Sequence, residues 1–150
     1  MEKDGVNFMF NTTPIKVEKD KGNEGQISFT YKHNDQEITD SFDTILVGTG
    51  RAPNVENLGL EKAGIEYDKN GVIVDQNLRS SNKRVFAIGD CIPGPKFTHN
   101  SDAQARMVIR NAMFRGNGKV SDMLIPYCTY TDPEIATVGL NEKLLKEQKI

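Results

Sequence analysis

Ser80-Ser81-Asn82-Lys83-Arg84-Val85-Phe86-Ala87-Ile88-Gly89-Asp90 is the stretch from which the fold can be read. A polar, turn-forming opening feeds the apolar run Val85–Ile88, which stops at Gly-Asp. A short continuous apolar run bounded by turn residues is expected to form a strand covered on both faces, as in a central parallel sheet. Ligands of such sheets bind beyond the carboxyl ends of the strands, where Gly89 and Asp90 fall. Glycine allows close approach to the backbone, and an ionised carboxylate offers only acceptors, which suits hydroxyl groups. The same residues also make a plain turn, so the neighbouring sequence has to decide.

Upstream, Thr44-Ile45-Leu46-Val47 is a second apolar run, ending in Gly48-Thr49-Gly50-Arg51. It too is expected to be a fully covered strand. Gly48 and Gly50 permit a sharp exit, and Arg51 reads either as a phosphate partner or as a surface side chain of a tight loop. Between the two runs, Leu58, Leu60 and Ala63 fit a short helix ended by Gly64 in the left-handed region. Asp68-Lys69-Asn70-Gly71 is a turn, and Val72–Asp75 a further short strand. The first part of the chain alternates instead. Phe8-Met9-Phe10 is a short apolar run, and Pro14–Glu18 alternates apolar with charged residues. After a turn over Asp20–Gly25, Ile27, Phe29 and Tyr31 alternate with polar neighbours, and Asn34-Asp35 turns the chain into Glu37–Thr39. This is the pattern of an antiparallel meander with one wet face.

Downstream, Ile92-Pro93-Gly94-Pro95 bars regular structure before a helix expected over Thr98–Arg115. Its apolar positions include Ala103, Met107 and Ala112–Phe114. Thr98 or Ser101 could cap it, the latter forming a capping box with Gln104, and Gly116 and Gly118 end it. A helix start aimed at the Gly-Asp edge would present free N–H groups and a positive dipole. His99, in that first turn, reads by default as a satisfied or exposed side chain rather than a catalyst. Tyr127–Thr131 alternates like an antiparallel strand, Asp132-Pro133 breaks it, and Ile135–Leu140 is the next strand. Asn141 can cap a helix running from Glu142.

Composition narrows the classes. With 27% charged and 37% apolar residues, the chain reads as an ordinary globular protein. A net charge of −2 gives no footprint for nucleic acid or anionic membrane. No apolar run approaches the length of a membrane span, and the N-terminus lacks a signal-peptide core, so a cytoplasmic setting is expected. Cys91 and Cys128 form no CxxC; they are expected to be reduced and to act as small buried hydrophobes.

Taken together, the chain resembles the FAD-dependent pyridine nucleotide-disulfide oxidoreductases, the group of glutathione reductase, dihydrolipoamide dehydrogenase and mercuric reductase. The resemblance rests on Asp43–Asn54, on Val85–Asp90, and on Ile125-Pro126 through Thr131-Asp132-Pro133-Glu134-Ile135-Ala136-Thr137-Val138-Gly139. The wording of Lys96-Phe97-Thr98-His99 through Arg106, with Tyr127–Thr131, is most similar to the mercuric-reductase-like branch. Ser80 stands where the family usually has Thr, keeping the hydroxyl.

The resemblance implies an α/β fold: an incomplete flavoprotein with two dinucleotide-binding domains, followed by the start of an α+β interface domain. Residues 1–48 would close the NAD(P)-binding domain, 49–123 would return to the FAD-binding domain, and 124–150 would begin the C-terminal dimerisation domain. It further implies that Gly50 and Arg51 lie at the crossover near both cofactors, and that Gly89 and Asp90 meet the ribityl chain of FAD. Phe97, Thr98 and His99 would face the pyrimidine edge of the flavin, where a helix N-terminus stabilises the negative charge of the reduced ring. FAD and NAD(P)H are the implied cofactors and a homodimer the implied assembly, with no nucleic acid, membrane or metal partner.

The family's FAD-binding GxGxxG, redox-active cysteine pair and C-terminal His-Glu pair are absent from this sequence. The chain is therefore expected to be an internal piece of a longer enzyme, supplying part of the FAD site and no catalytic group. Electrons would pass from NAD(P)H through FAD to a disulfide, Hg(II) or a similar acceptor. Two other readings stand beside this one. One is a non-catalytic interaction or dimerisation module. The other is a two-dinucleotide flavoprotein without a disulfide, against which the Thr131–Glu134 segment argues.

Overall fold

The computed structural model describes residues 1–19, 22, 25–142 and 145–146. The chain forms two compact units, Met1–Thr49 and Gly50–Ile150. The turn expected over Asp20–Gly25 and the helix expected from Glu142 fall largely outside the described residues.

The first unit is the expected meander. Strands β1 (Thr12–Lys19), β2 (Ile27–His33) and β3 (Gln36–Phe42) pair antiparallel in the order β1-β2-β3. The β2–β3 loop is Asn34-Asp35, with φ of 47° and 68°, so both residues sit in the left-handed region that a tight hairpin needs and that Asn and Asp tolerate. The β1–β2 register slips between Pro14 and Lys16, on an edge strand where a residue lacking an N–H is tolerated. On β2, Phe29 lies near Tyr31 and Phe42, and the Tyr31 hydroxyl donates to Asp40 Oδ2 at 2.6 Å.

The run Thr44–Val47 is not the covered strand its composition suggests. Among the described residues nothing pairs with it, and Leu46 and Val47 are 95% and 74% exposed. Apolar character supplies the tendency to be covered; it cannot supply the neighbouring strands.

The second unit holds a core of Val55, Ile65, Val72, Leu78, Ile92 and Met107. Strands β4 (Tyr67–Asp68) and β5 (Gly71–Val72) form the hairpin expected around Asp68–Gly71, shorter on the β5 side than the Val72–Asp75 expectation. The expected helix around Leu60 is only a turn, although Gly64 does take a left-handed φ of 66°.

Val85–Ile88 is half-buried against the core and pairs only through an isolated antiparallel bridge, Arg79 to Phe86. This corrects the expected central parallel strand: among the described residues no other strand flanks it. What organises the segment is its polar opening. Ser80 Oγ donates to Asn82 O at 2.9 Å, Ser81 Oγ to Gly64 O at 2.8 Å, and Asn82 Nδ2 to Ala63 O at 2.8 Å. These side chains satisfy loop carbonyls that no ladder reaches.

Helix α1 (Thr98–Met113) then leads to the hairpin of β6 (Tyr127–Thr129) and β7 (Ile135–Thr137), both shorter than expected. The buried stripe of α1 is Asn100, Gln104, Met107 and Asn111, while Met113 and Phe114 are exposed. The helix therefore turns amides inward, contrary to the apolar face expected at its C-terminal end.

Candidate functional site

The chain turns into the candidate site at Gly89. Its φ of 70° starts a one-turn 3-10 segment, Gly89–Cys91, and a Cβ there would come within 2.7 Å of Ser101 Oγ on α1. Glycine is required here so that the loop can seat against the helix, rather than to admit a ligand on that side. The buried Gln104 accepts the Gly89 N–H through Oε1 at 2.7 Å. An amide with an acceptor oxygen on the inward face is what a buried N–H needs.

Asp90, next in the chain, is exposed. Its backbone carbonyl accepts from Lys96 Nζ at 2.7 Å, and the same ammonium donates to Ile92 O at 2.9 Å. Arg51 Nη1 donates to the Lys96 carbonyl at 3.3 Å. Lys96 thus straps the loop after Asp90, and Arg51 leans on the strap.

Beyond the loop, α1 begins with Phe97 as its N-cap residue and no side-chain cap. Neither Thr98 nor Ser101 caps it. Ser101 Oγ instead donates back to Phe97 O at 3.2 Å, so the expected capping box is not formed. The first-turn N–H groups have no intrahelical acceptor, and the positive end of a sixteen-residue helix is left open.

Arg51, Gly89, Asp90, Phe97, Thr98 and His99 line one groove of about 770 Å³, together with Lys96, Ser101, Tyr127, Cys128 and Tyr130 among others. Six of the seven residues singled out from the sequence therefore meet there. Gly50 is not among the lining residues; its φ of 102° shapes the turn into Arg51. The groove carries an exposed carboxylate, a guanidinium, an uncapped helix start and aromatic rings. That set can accept from hydroxyls and stabilise negative charge. The thiols of Cys91 and Cys128 are free and half-buried rather than buried, with Cys91 Sγ donating to Ile88 O at 3.1 Å. Among the described residues no cluster of His, Cys, Asp and Glu could hold a metal ion.

The roles of Lys96, Gln104 and Tyr127 at the site were not legible in the sequence, where Gln104 read only as a capping-box partner. Gln104 alone left a signal: Asn100, Gln104 and Asn111 share one helical face, and amides repeating at that spacing mark an inward polar stripe.

The groove thus brings an acidic residue and an uncapped helix start to one wall. Residues 1–105 match the family described as pyridine nucleotide-disulphide oxidoreductase, and the chain belongs to that family. It is 37% identical to a mercuric reductase of Staphylococcus aureus over 99% of this chain and 27% of that protein. To a dihydrolipoyl dehydrogenase of Geobacillus stearothermophilus it is 35% identical, over 100% of this chain and 31% of the relative. LpdA of Mycobacterium tuberculosis superposes with a TM-score of 0.83 at 24% identity, covering 99% of this chain and 31% of that one. A flavoprotein disulfide reductase of Escherichia coli, RclA, gives 0.78 at 24% identity, covering 97% and 32%. The small sheets and the helix are thus part of the disulfide-reductase fold, and the chain spans about 27–32% of the length of these relatives.

Proposed function

We propose that this chain supplies part of the FAD site of an oxidoreductase that takes electrons from NAD(P)H and passes them through FAD to a disulfide, Hg(II) or a similar acceptor. The observation that carries the reading is that Asp90 and the uncapped first turn of α1 line one groove. FAD bound there supplies a two-electron carrier between nicotinamide and acceptor. Asp90 accepts hydrogen bonds from ribityl hydroxyls. The N–H groups of the first turn and the helix dipole hold the negative edge of a flavin ring. Lys96 fixes the Asp90 backbone, Gln104 fixes that of Gly89, and Arg51 adds positive charge at the rim. The stacked rings of Phe97 and Tyr127 would form an apolar part of the groove wall.

On this reading residues 1–48 close the NAD(P)-binding domain, 49–123 belong to the FAD-binding domain, and 124–150 begin a dimerisation domain through which the enzyme pairs with a second copy in the cytoplasm. No described helix is long and apolar enough to cross a membrane. The test is a visible absorbance spectrum of the chain after incubation with FAD and desalting. Flavin bands that persist in the wild type and vanish in Asp90→Ala are expected; bands unaffected by Asp90→Ala would refute the assignment.

A second reading, a non-catalytic interaction or dimerisation module, is favoured by the exposure of Leu124, Ile135 and Val138. A colourless chain that nonetheless elutes as a dimer would favour it.

A further inference from the structure

We propose that His99 is a positioning residue that latches the β6–β7 hairpin to the first turn of α1, and so fixes the wall that β6 contributes to the groove. The hairpin is small. It has three residues in each strand, and Ile135 and Val138 are exposed. A two-stranded ribbon of this length is marginal alone, so its place depends on what its start is attached to. Pro126 immediately precedes β6, and its carbonyl lies 2.7 Å from His99 Nε2. The ring of Phe97 stacks on that of His99, with centroids 5.3 Å apart and planes 10° from parallel. It also stacks on Tyr127 of β6, at 5.8 Å and 12°. One hydrogen bond and one ring stack therefore join the helix start to the hairpin, and the Phe97–His99 stack holds together the two side chains that make those links.

The chemistry of the bond assigns the role. A carbonyl oxygen only accepts, so Nε2 carries the hydrogen and is committed to Pro126. That nitrogen is not free to take a proton from a substrate, and both the neutral and the protonated ring can donate. His99 consequently acts through the hairpin. Its effect on the groove rests on the flavin reading above, since Tyr127, Cys128 and Tyr130 line the same groove as Asp90. A loosened hairpin would open that groove to water.

Two substitutions separate the bond from the ring, and because His99 is exposed neither disturbs the core. His99→Phe keeps a ring to stack on Phe97 and removes the donor. His99→Gln restores an N–H at the same number of bonds from Cα and lacks the ring. Amide hydrogen exchange of β6 and β7 in the full chain is the readout, with FAD retention measured in parallel. Loss of one such bond is expected to speed exchange about tenfold in His99→Phe, while His99→Gln stays within about threefold of wild type. FAD retention should fall in His99→Phe and recover in His99→Gln. Wild-type protection in His99→Phe, or equal loss in both variants, would overturn the latch whatever FAD does. Faster exchange in His99→Phe with no FAD retained by any protein, wild type included, supports the latch and overturns the flavin reading.

Discussion

The meander of Met1–Thr49 and the body formed by Gly50–Ile150 satisfy their backbones in opposite ways. In the meander, main-chain groups pair with one another along two ladders, and among its described residues Tyr31 is the buried apolar one. In the second unit the ladders are only two or three residues long, yet Val55, Ile65, Val72, Leu78, Ile92 and Met107 are buried there. Its loops are held by side chains: Ser80, Ser81 and Asn82 on one side, and the inward amides of α1 on the other. Backbone regularity and burial are thus separable. A sheet can be regular with little core, whereas a core wrapped in loops needs a polar side chain wherever a ladder is missing.

The sharpest way to break this contrast is to disturb a loop seat in the second unit. Gly71 has a φ of 125°, and a Cβ there would run into the Cys91 carbonyl and come within 3.0 Å of Ile92 Cα. Both obstacles are backbone and cannot swing away. Gly71→Ala is expected to cost about 3 kcal/mol in the second unit, from strain and collision together. Gly5, with a φ of 84° and nothing within 4 Å of an added Cβ, serves as the control in the first unit. Gly5→Ala should cost only about 1 kcal/mol. Denaturant unfolding followed by amide exchange reads the two units separately. Equal loss of protection in both after Gly71→Ala would mean that they unfold as one, and the contrast would fail.

The next prediction sharpens the role of the amides. Gln104→Leu keeps most of the volume and leaves the buried Gly89 N–H without its acceptor, at a cost of about 2 kcal/mol. The matching change in the meander, Thr39→Val, removes an exposed hydroxyl pair with Thr30 at 2.9 Å and should stay within about 0.5 kcal/mol. FAD retention should fall for Gln104→Leu, because Gly89 seats the loop that carries Asp90. Stability changes of equal size would show that the inward amides matter no more than exposed hydroxyls do.

This contrast also explains what the sequence could disclose. The meander was legible nearly strand by strand. Alternation at Ile27, Phe29 and Tyr31, with Asn34-Asp35 between strands, encodes a local hairpin that needs only its neighbours in sequence. Five groove residues, Gly89, Asp90, Phe97, Thr98 and His99, could be grouped through motif resemblance because the Gly89-Asp90 turn and the start of α1 lie close along the chain, while Arg51 came from a separate upstream motif. The apolar runs Thr44–Val47 and Val85–Ile88 misled. Three or four consecutive apolar residues specify a preference for cover on two faces, and whether strands are present to provide it is a non-local matter. The strap of Lys96 and the stack of Phe97 with His99 and Tyr127 were illegible for the same reason. Each depends on a loop geometry that no periodicity encodes.

The smallest expected effect is a difference in pH dependence between the two units. In the meander, the hydrogen bond to Asp40 holds the Tyr31 phenol above its ordinary value, aided by burial and by the Asp40 charge. In the second unit, Tyr67 donates to Glu61; that bond raises the Tyr67 phenol and lowers the Glu61 carboxyl. A phenol whose folded value is raised contributes stability that is whole below the unfolded value, near pH 10, and is lost as pH rises through the folded one. A carboxyl whose folded value is lowered contributes stability present above its unfolded value and lost as pH falls through the folded one. Both units should therefore weaken at alkaline pH, and the second unit should also weaken at acid pH as Glu61 protonates. Tyr31→Phe should flatten the alkaline limb of the meander alone, and Tyr67→Phe should remove this alkaline limb from the second unit and shrink its acid limb, which a backbone hydrogen bond to Glu61 also supports. Amide exchange of β2 and of the β4–β5 hairpin across pH reads each arm; an alkaline limb in β2 that survives Tyr31→Phe would show that the Tyr31–Asp40 bond is not what ties the meander to pH.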